Sequence, residues 1–108
     1  MSHFNADKLR LDKWLWAARF FKTRSLAKAA IEGGKGHLGG QRVKVSREIW
    51  VGDTLQIRQG WDEKVVVGRA LSDQRRGAPE AQTLYEETAD SLKRREADAA
   101  ARKAAGGM

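Results

Sequence analysis

Between Lys8 and Glu48 the chain carries eleven Lys/Arg against three Asp/Glu. Fixed cations at that density do one kind of chemistry well: they neutralise phosphates and release counterions. From Ile49 to Met108 the count is ten against ten, so the net charge of +7 rests on the first half. The asymmetry reads as a polyanion-binding half joined to a neutral supporting half. A second candidate is "EGGKGHLGGQ", Glu32 to Gln41, with a GxGxxG at Gly34, Gly36 and Gly39. A loop that cradles phosphate must leave a strand and open a helix, so that free N–H groups face the anion. Here the glycines follow a helical run and precede strand-like sequence. The order is reversed, and Gly34-Lys35 is followed by Gly36 rather than Ser or Thr. Nucleotide binding by this loop is excluded.

The remaining reactive types are sparse. Ser25, His37 and Asp53 have the right identities for a nucleophilic triad, but no pattern brings them together. Two histidines, His3 and His37, do not build a metal site, and without cysteine there is no thiolate ligand or nucleophile. A non-enzyme with no cofactor and no metal is expected. No run of about 18 apolar residues exists, and "MSHFNADKLR" lacks the apolar core of a signal peptide, so a cytoplasmic location is expected. A chain of 108 residues suits one domain.

The elements that must position these cations follow from periodicity. "RLDKWLWAARFF", Arg10 to Phe21, places Leu11, Trp14, Leu15 and Ala18 at i, i+3, i+4 and i+7, which predicts a helix. Asp12 suits its first turn. Lys13, Trp16 and Phe20 fall away from that stripe. "RSLAKAAIE" predicts a second helix, capped by Thr23 or Ser25, with Leu26, Ala27, Ala30 and Ile31 inward and Lys28 outward. Trp14, Leu15, Leu26 and Ile31 are the expected core. Gly39-Gly40 suits a two-residue hairpin turn inside "KGHLGGQRVKV". "REIWVGDTLQIRQ" reads as strand, turn at Gly52-Asp53, and strand, with Leu55 and Ile57 on one face. "KVVVGRAL" supplies another strand. Pro79 then opens a helix expected over Glu80 to Ala105, with Ala81, Leu84, Tyr85 and Leu92 as its apolar stripe.

Helix, helix, glycine turn, hairpin, then "VGDTL" is similar to the S-four RNA-binding domain, the alpha-L motif. The likeness rests on Arg10-Leu11-Asp12, Leu15, Ser25, Ala27, Ile31, Gly34, Gly40, Val43, Ser46 and Val51-Gly52-Asp53. "RLDKWLWAARFFKTRSLAKAAIEGGK", the "RQG" at Arg58 to Gly60 and the "LYEETADS" at Leu84 to Ser91 resemble one bacterial subgroup, the ribosome-associated heat-shock proteins of about fifteen kilodaltons. Against the family pattern Gly36 replaces Val, Gly39 replaces Asn and Val45 replaces Pro. Members often carry a basic tail beyond the position of Met108.

The resemblance implies an α+β fold: an alpha-L motif of two N-terminal helices on a small, mainly antiparallel sheet, plus a long C-terminal helix. The implied division is a flexible N-terminus over 1–8, an RNA-binding domain over 9–72 and a helical extension over 73–108. It also implies binding to ribosomal RNA on the free large subunit, in rescue of subunits that still carry peptidyl-tRNA after heat stress. A general DNA or RNA binder, or a detached targeting module of an RNA-modifying enzyme, is the alternative. A monomer is expected. On the family pattern the face of the two helices meets RNA through Arg10, Lys13, Arg19, Lys22, Arg24, Ser25 and Lys28, extended by Lys35, Arg42 and Lys44. Trp16 and Phe20 offer a base-stacking platform there, although burial under the sheet or the last helix is the commoner fate of such rings.

Overall fold

The computed structural model describes residues 8–60 and 62–106. The order is β1 (Lys8–Arg10), α1 (Leu11–Ala17), α2 (Arg24–Glu32), β2 (Gly36–Leu38), β3 (Gln41–Arg42), β4 (Glu48–Trp50), β5 (Thr54–Gln59), β6 (Asp62–Gly68), α3 (Ala78–Ala81), β7 (Tyr85–Glu87) and α4 (Ala89–Gly106). It is an α+β fold, as the residue pattern and the resemblance led one to expect. Of the residues expected to form a flexible N-terminus, 1–7 lie outside the described residues, as does His3, and Lys8 is a strand residue.

Both N-terminal helices end in the same device. In α1, Arg19 N–H donates to the Trp16 carbonyl and Phe20 N–H to the Leu15 carbonyl, at 3.1 and 3.0 Å. In α2, Gly34 N–H donates to Ile31 and Lys35 N–H to Ala30, at 3.1 and 2.8 Å. These paired bonds close a helix through one left-handed residue. That residue is Gly34 (φ 77°) in α2, but in α1 it is Arg19 (φ 66°), which has no such freedom. The helix expected to reach Phe21 therefore stops at Ala17. The turn swings Phe20 inward, where it is 6% exposed. A helical wheel extended past Ala17 points Phe20 outward, but the ring takes the buried fate expected of most such aromatics, and the base-stacking alternative at Phe20 fails.

The main sheet is antiparallel, in the order β3-β2-β5-β6-β7. Its tight corner is Gly39-Gly40, with φ of 60° and 81°, which sets His37 opposite Arg42 and Leu38 opposite Gln41. Alternation sends Leu55 and Ile57 from β5 inward to meet Leu38, Val66 and the helices' Leu11, Trp14, Leu15, Ala27 and Ile31. Gly36, the position where the family carries Val, is buried, and its Cα faces the Ile31 side chain. Leu26, expected in this core, is 51% exposed. The inward stripe of α2 is Ala27, Ala30 and Ile31, and Leu26 stands on its flank.

Two pairings depart from the expected connectivity. The segment "REIW" does not form a hairpin with β5; β4 pairs with β1 in a separate two-stranded sheet, with Leu9 opposite Ile49. The helix expected over Glu80 to Ala105 is interrupted. A four-residue helix and a 3₁₀ turn (Gln82–Leu84) precede β7, which pairs along β6 with Val67 opposite Glu86. The exposed edge of β6 offers a row of unpaired backbone groups, and satisfying them outweighs the helix propensity of "YEE". Tyr85 also closes an aromatic triangle, its ring centroid 4.7 Å from Phe20 and 6.5 Å from Trp14.

The last helix then starts afresh at Thr88, whose Oγ1 accepts from Ser91 N–H at 3.1 Å. Leu92, assigned to an apolar stripe, is 43% exposed, because α4 docks through polar groups instead. The fully buried Ser91 Oγ accepts from Val65 N–H at 2.9 Å and donates to Glu87 at 2.6 Å. Arg95 grips the same carboxylate with Nε at 2.7 Å and a terminal nitrogen at 2.6 Å. Further out, Arg94 meets Glu63 and Arg102 meets Asp62 at 3.9 and 3.5 Å. The Arg95 fork, aided by Ser91 and opposed by burial, holds the Glu87 carboxyl below its ordinary range. A carboxylate depressed in the folded state stabilises the fold in full above its unfolded pKa, and that contribution disappears as pH falls through the folded value. Glu87→Gln is therefore expected to cost about 2 kcal/mol at neutral pH. The gap to the parent should close below the usual carboxylate range. Melting temperatures of both proteins from pH 7 down to pH 3 check this, and parallel curves would refute it.

Candidate nucleic-acid interface

The start of α1 and the exposed flank of α2 are joined by one side chain. Asp12, in the first turn of α1, is fully buried. Its Oδ1 accepts from Arg10 Nε at 3.1 Å and from Lys13 N–H at 2.9 Å. Its Oδ2 accepts from Arg24 at 3.2 Å and, more weakly, from a terminal nitrogen of Arg10 at 3.5 Å. Two arginines 14 positions apart in sequence thus meet on one carboxylate, each side chain still more than two-fifths exposed. Lys28, one turn beyond Arg24 on α2, is exposed, and Lys13 is partly exposed beside the pair. Thr23, not Ser25, caps α2: its Oγ1 accepts from Leu26 N–H at 3.1 Å. Ser25 is left exposed in the first turn.

A second basic cluster adjoins the first. Arg42, Lys44 and Arg47 line a shallow depression of about 320 Å³ together with Gln41, Val43 and Ser46. The Arg47 carbonyl accepts from Leu11 N–H at 2.8 Å, and Arg10 stands opposite Glu48 in the β1–β4 register. The loop after the hairpin is therefore fastened beside the start of α1. Arg42 donates to the Glu32 carbonyl and packs over Gly34, so it also closes the negative end of α2. Arg47 is a residue that sequence pattern does not single out, although it belongs to the same basic run.

The other expected residues are not drawn into these clusters. Arg19 donates to the Arg76 carbonyl at 3.0 Å, which holds its guanidinium toward the C-terminal half. Lys22 is exposed in the turn between the helices. Lys35 lies in a groove of about 290 Å³ with Phe21, Leu26, Ala29 and Arg58, on the flank of α2 that carries Leu26. Phe20 is buried and presents no ring face for a base. Trp16 is half-buried and packs against the core. The more exposed ring is Trp50, 49% open, with Lys8 Nζ 5.9 Å from its centroid.

Charge pairing separates the two halves of the chain. Among the described residues, the only cations between Lys8 and Glu48 in ion pairs are Lys8, Arg10 and Arg24. Lys13, Lys22, Lys28, Lys35, Arg42, Lys44 and Arg47 are not. In the second half Arg58, Arg69, Arg76, Arg94, Arg95 and Arg102 all meet carboxylates of that same half. No group of three His, Cys, Asp or Glu side chains is placed to hold a metal among the described residues. None of the described helices is long and apolar enough to cross a membrane.

Comparison with known proteins gives a consistent result. Residues 9–55 match the family described as S4 domain. The chain is 64% identical over 96 residues to the Heat shock protein 15 homolog of Haemophilus influenzae, spanning 89% of this chain and 73% of that protein. It is 57% identical over 98 residues to Heat shock protein 15 of Escherichia coli, spanning 91% and 74%. A more distant relative, the RQC P-site tRNA stabilizing factor of Bacillus subtilis, is 35% identical over 65 residues, 60% of this chain and 76% of that one. A solved structure described as a trimeric structure of Vibrio cholerae Heat Shock Protein 15 superposes with a TM-score of 0.86 at 57% identity. It covers 89% of this chain and 97% of its own.

Proposed function

The chain belongs to the heat shock protein 15 family, and from that premise we propose that it is a non-catalytic, cytoplasmic protein that binds ribosomal RNA on the free large subunit. The observation that carries this reading is the concentration on α1, α2 and the hairpin of cations with no ion pair among the described residues, against a second half in which six of the ten cations meet carboxylates of that half. Cations left without internal partners are available to phosphate, and their release of counterions supplies affinity. Two guanidinia fixed on Asp12 add planar forks suited to phosphate oxygens. The contact set is Arg10, Lys13, Arg24, Lys28, Arg42, Lys44 and Arg47, with Lys22 and Lys35 at its edges.

A role in rescuing subunits that carry peptidyl-tRNA rests on kinship alone. It is favoured by the likeness to a Bacillus subtilis relative named for stabilising tRNA in the ribosomal P site. The Vibrio cholerae relative is described as a trimer, which weighs against the expected monomer. Residues 9–72 serve as the RNA-binding unit and 73–108 as its support.

The test is sedimentation of the purified chain with free large subunits, small subunits and assembled ribosomes, at about 0.05 and 0.2 M salt. Selective pelleting with free large subunits that survives the higher salt is the expected result. Equal pelleting with every particle, fading together, would reduce the reading to nonspecific polyanion binding. Competition by duplex DNA then separates an RNA reader from a general nucleic-acid binder, since 2′-hydroxyls and RNA shape matter only to the former.

A further inference from the structure

We infer that Asp12, an acidic residue at the centre of a basic face, is a positioning residue that makes Arg10 and Arg24 into a preformed clamp for one backbone phosphate; this deepens the RNA-binding reading and rests on it. By charge alone Asp12 is out of place, since a carboxylate beneath an RNA-binding surface repels the ligand. Its geometry shows a different effect. The side chain is completely buried, and its two oxygens accept from both guanidinia and from the backbone of Lys13. Burial of an ion is tolerated when it is paired and hydrogen-bonded on every side, and here both partners reach it from the surface.

The two arginines depend on that one anchor. Asp12 is the partner in each of their side-chain hydrogen bonds among the described residues. Arg24 Nε is buried without a partner, so Asp12 alone fixes the direction of that guanidinium. The two oxygens of one carboxylate share a single carbon, and each holds a guanidinium at little over 3 Å. The two guanidinia are thereby anchored next to one another on one carboxylate. Both side chains remain partly open to solvent, by 45% and 41%. A free arginine must lose side-chain entropy to bind; these two have lost it on folding. Each guanidinium has five N–H donors and keeps others beyond those on Asp12, and a phosphodiester, with two anionic oxygens, can accept from both arginines at once.

The experiment compares the parent, Asp12→Asn, Arg24→Lys and a control, Glu48→Gln, by filter binding to deproteinised large-subunit ribosomal RNA and to poly(U), across a salt series. Asp12→Asn keeps the shape and raises the net charge by one. A surface that works by net charge alone would then bind more tightly, as Glu48→Gln should. The clamp predicts roughly tenfold weaker binding on both RNAs. It also predicts a shallower slope of log affinity against log salt, by about one, as a phosphate contact is lost. Partial unfolding would lower the apparent affinity and leave the slope alone, and melting curves monitor it directly. If Asp12→Asn does not fold, Arg24→Lys decides. Its single amine keeps the charge but cannot hold Asp12 and phosphate with a planar fork, so weaker binding supports the clamp and unchanged binding overturns it. Equal or tighter binding by folded Asp12→Asn also overturns it. The functional reading fails separately, if the parent does not prefer large-subunit RNA over duplex DNA.

Discussion

Replacing Lys13 and Lys28 together by glutamate is expected to weaken binding to large-subunit ribosomal RNA about a hundredfold at ~0.1 M salt, with little change in melting temperature. Each substitution removes a cation that has no ion pair among the described residues and installs a repulsive anion on the same face. Neither side chain packs in the core, so the fold has little to lose. The salt dependence should flatten by about two released counterions, because two phosphates are no longer neutralised. Arg24→Glu is a poorer variant for this purpose. It would set a second carboxylate beside the buried Asp12 and remove one of its two guanidinium partners, so lost binding could not be told from lost structure. Fluorescence anisotropy on labelled RNA reads the affinity and circular dichroism the fold. Undiminished affinity in a folded double variant would place the interface elsewhere.

Trp14→Ala should have the largest effect on stability, a loss of about 3–5 kcal/mol. Trp14 is completely buried. Its indole N–H donates to the Ala70 carbonyl at 3.0 Å, tying α1 to the segment after β6. Its ring stands 5.9 Å from Phe20 and 6.5 Å from Tyr85, so it joins the turn after α1 to β7. Truncation leaves a cavity and an unsatisfied carbonyl in the same place. A domain of this size has only about 5–15 kcal/mol in total, and the melting temperature should fall by roughly 15–25 °C. Trp14→Phe fills most of the space without the donor and should cost about 1–2 kcal/mol. A shift below about 5 °C in the alanine variant would mean that the aromatic triangle does not organise this core.

The parts of this protein that depend on near neighbours were legible in the residues alone. Helical spacing in "LDKWLWA" and "RSLAKAAIE" placed Leu11, Trp14, Leu15, Ala27 and Ile31 inside. Gly34 and Gly39-Gly40 marked a helix end and a hairpin because only certain residues adopt positive φ cheaply. Charge segregation is likewise a property of composition, and it pointed to a polyanion before any geometry was known. Tertiary structure decided whatever depends on a partner far along the chain. The left-handed Arg19 turned Phe20 from an apparent surface ring into core. The open edge of β6 drew "YEE" out of a helix, and β1 claimed β4 from its sequence neighbour. Above all, a sequence shows how many cations there are and not which are already paired. Arg10 and Arg24 share Asp12, Arg95 is taken by Glu87, and Lys13 and Lys28 meet no carboxylate among the described residues. Ion pairing follows distance in space, which periodicity does not encode, and that distance separates the cations that brace the fold from those available to RNA.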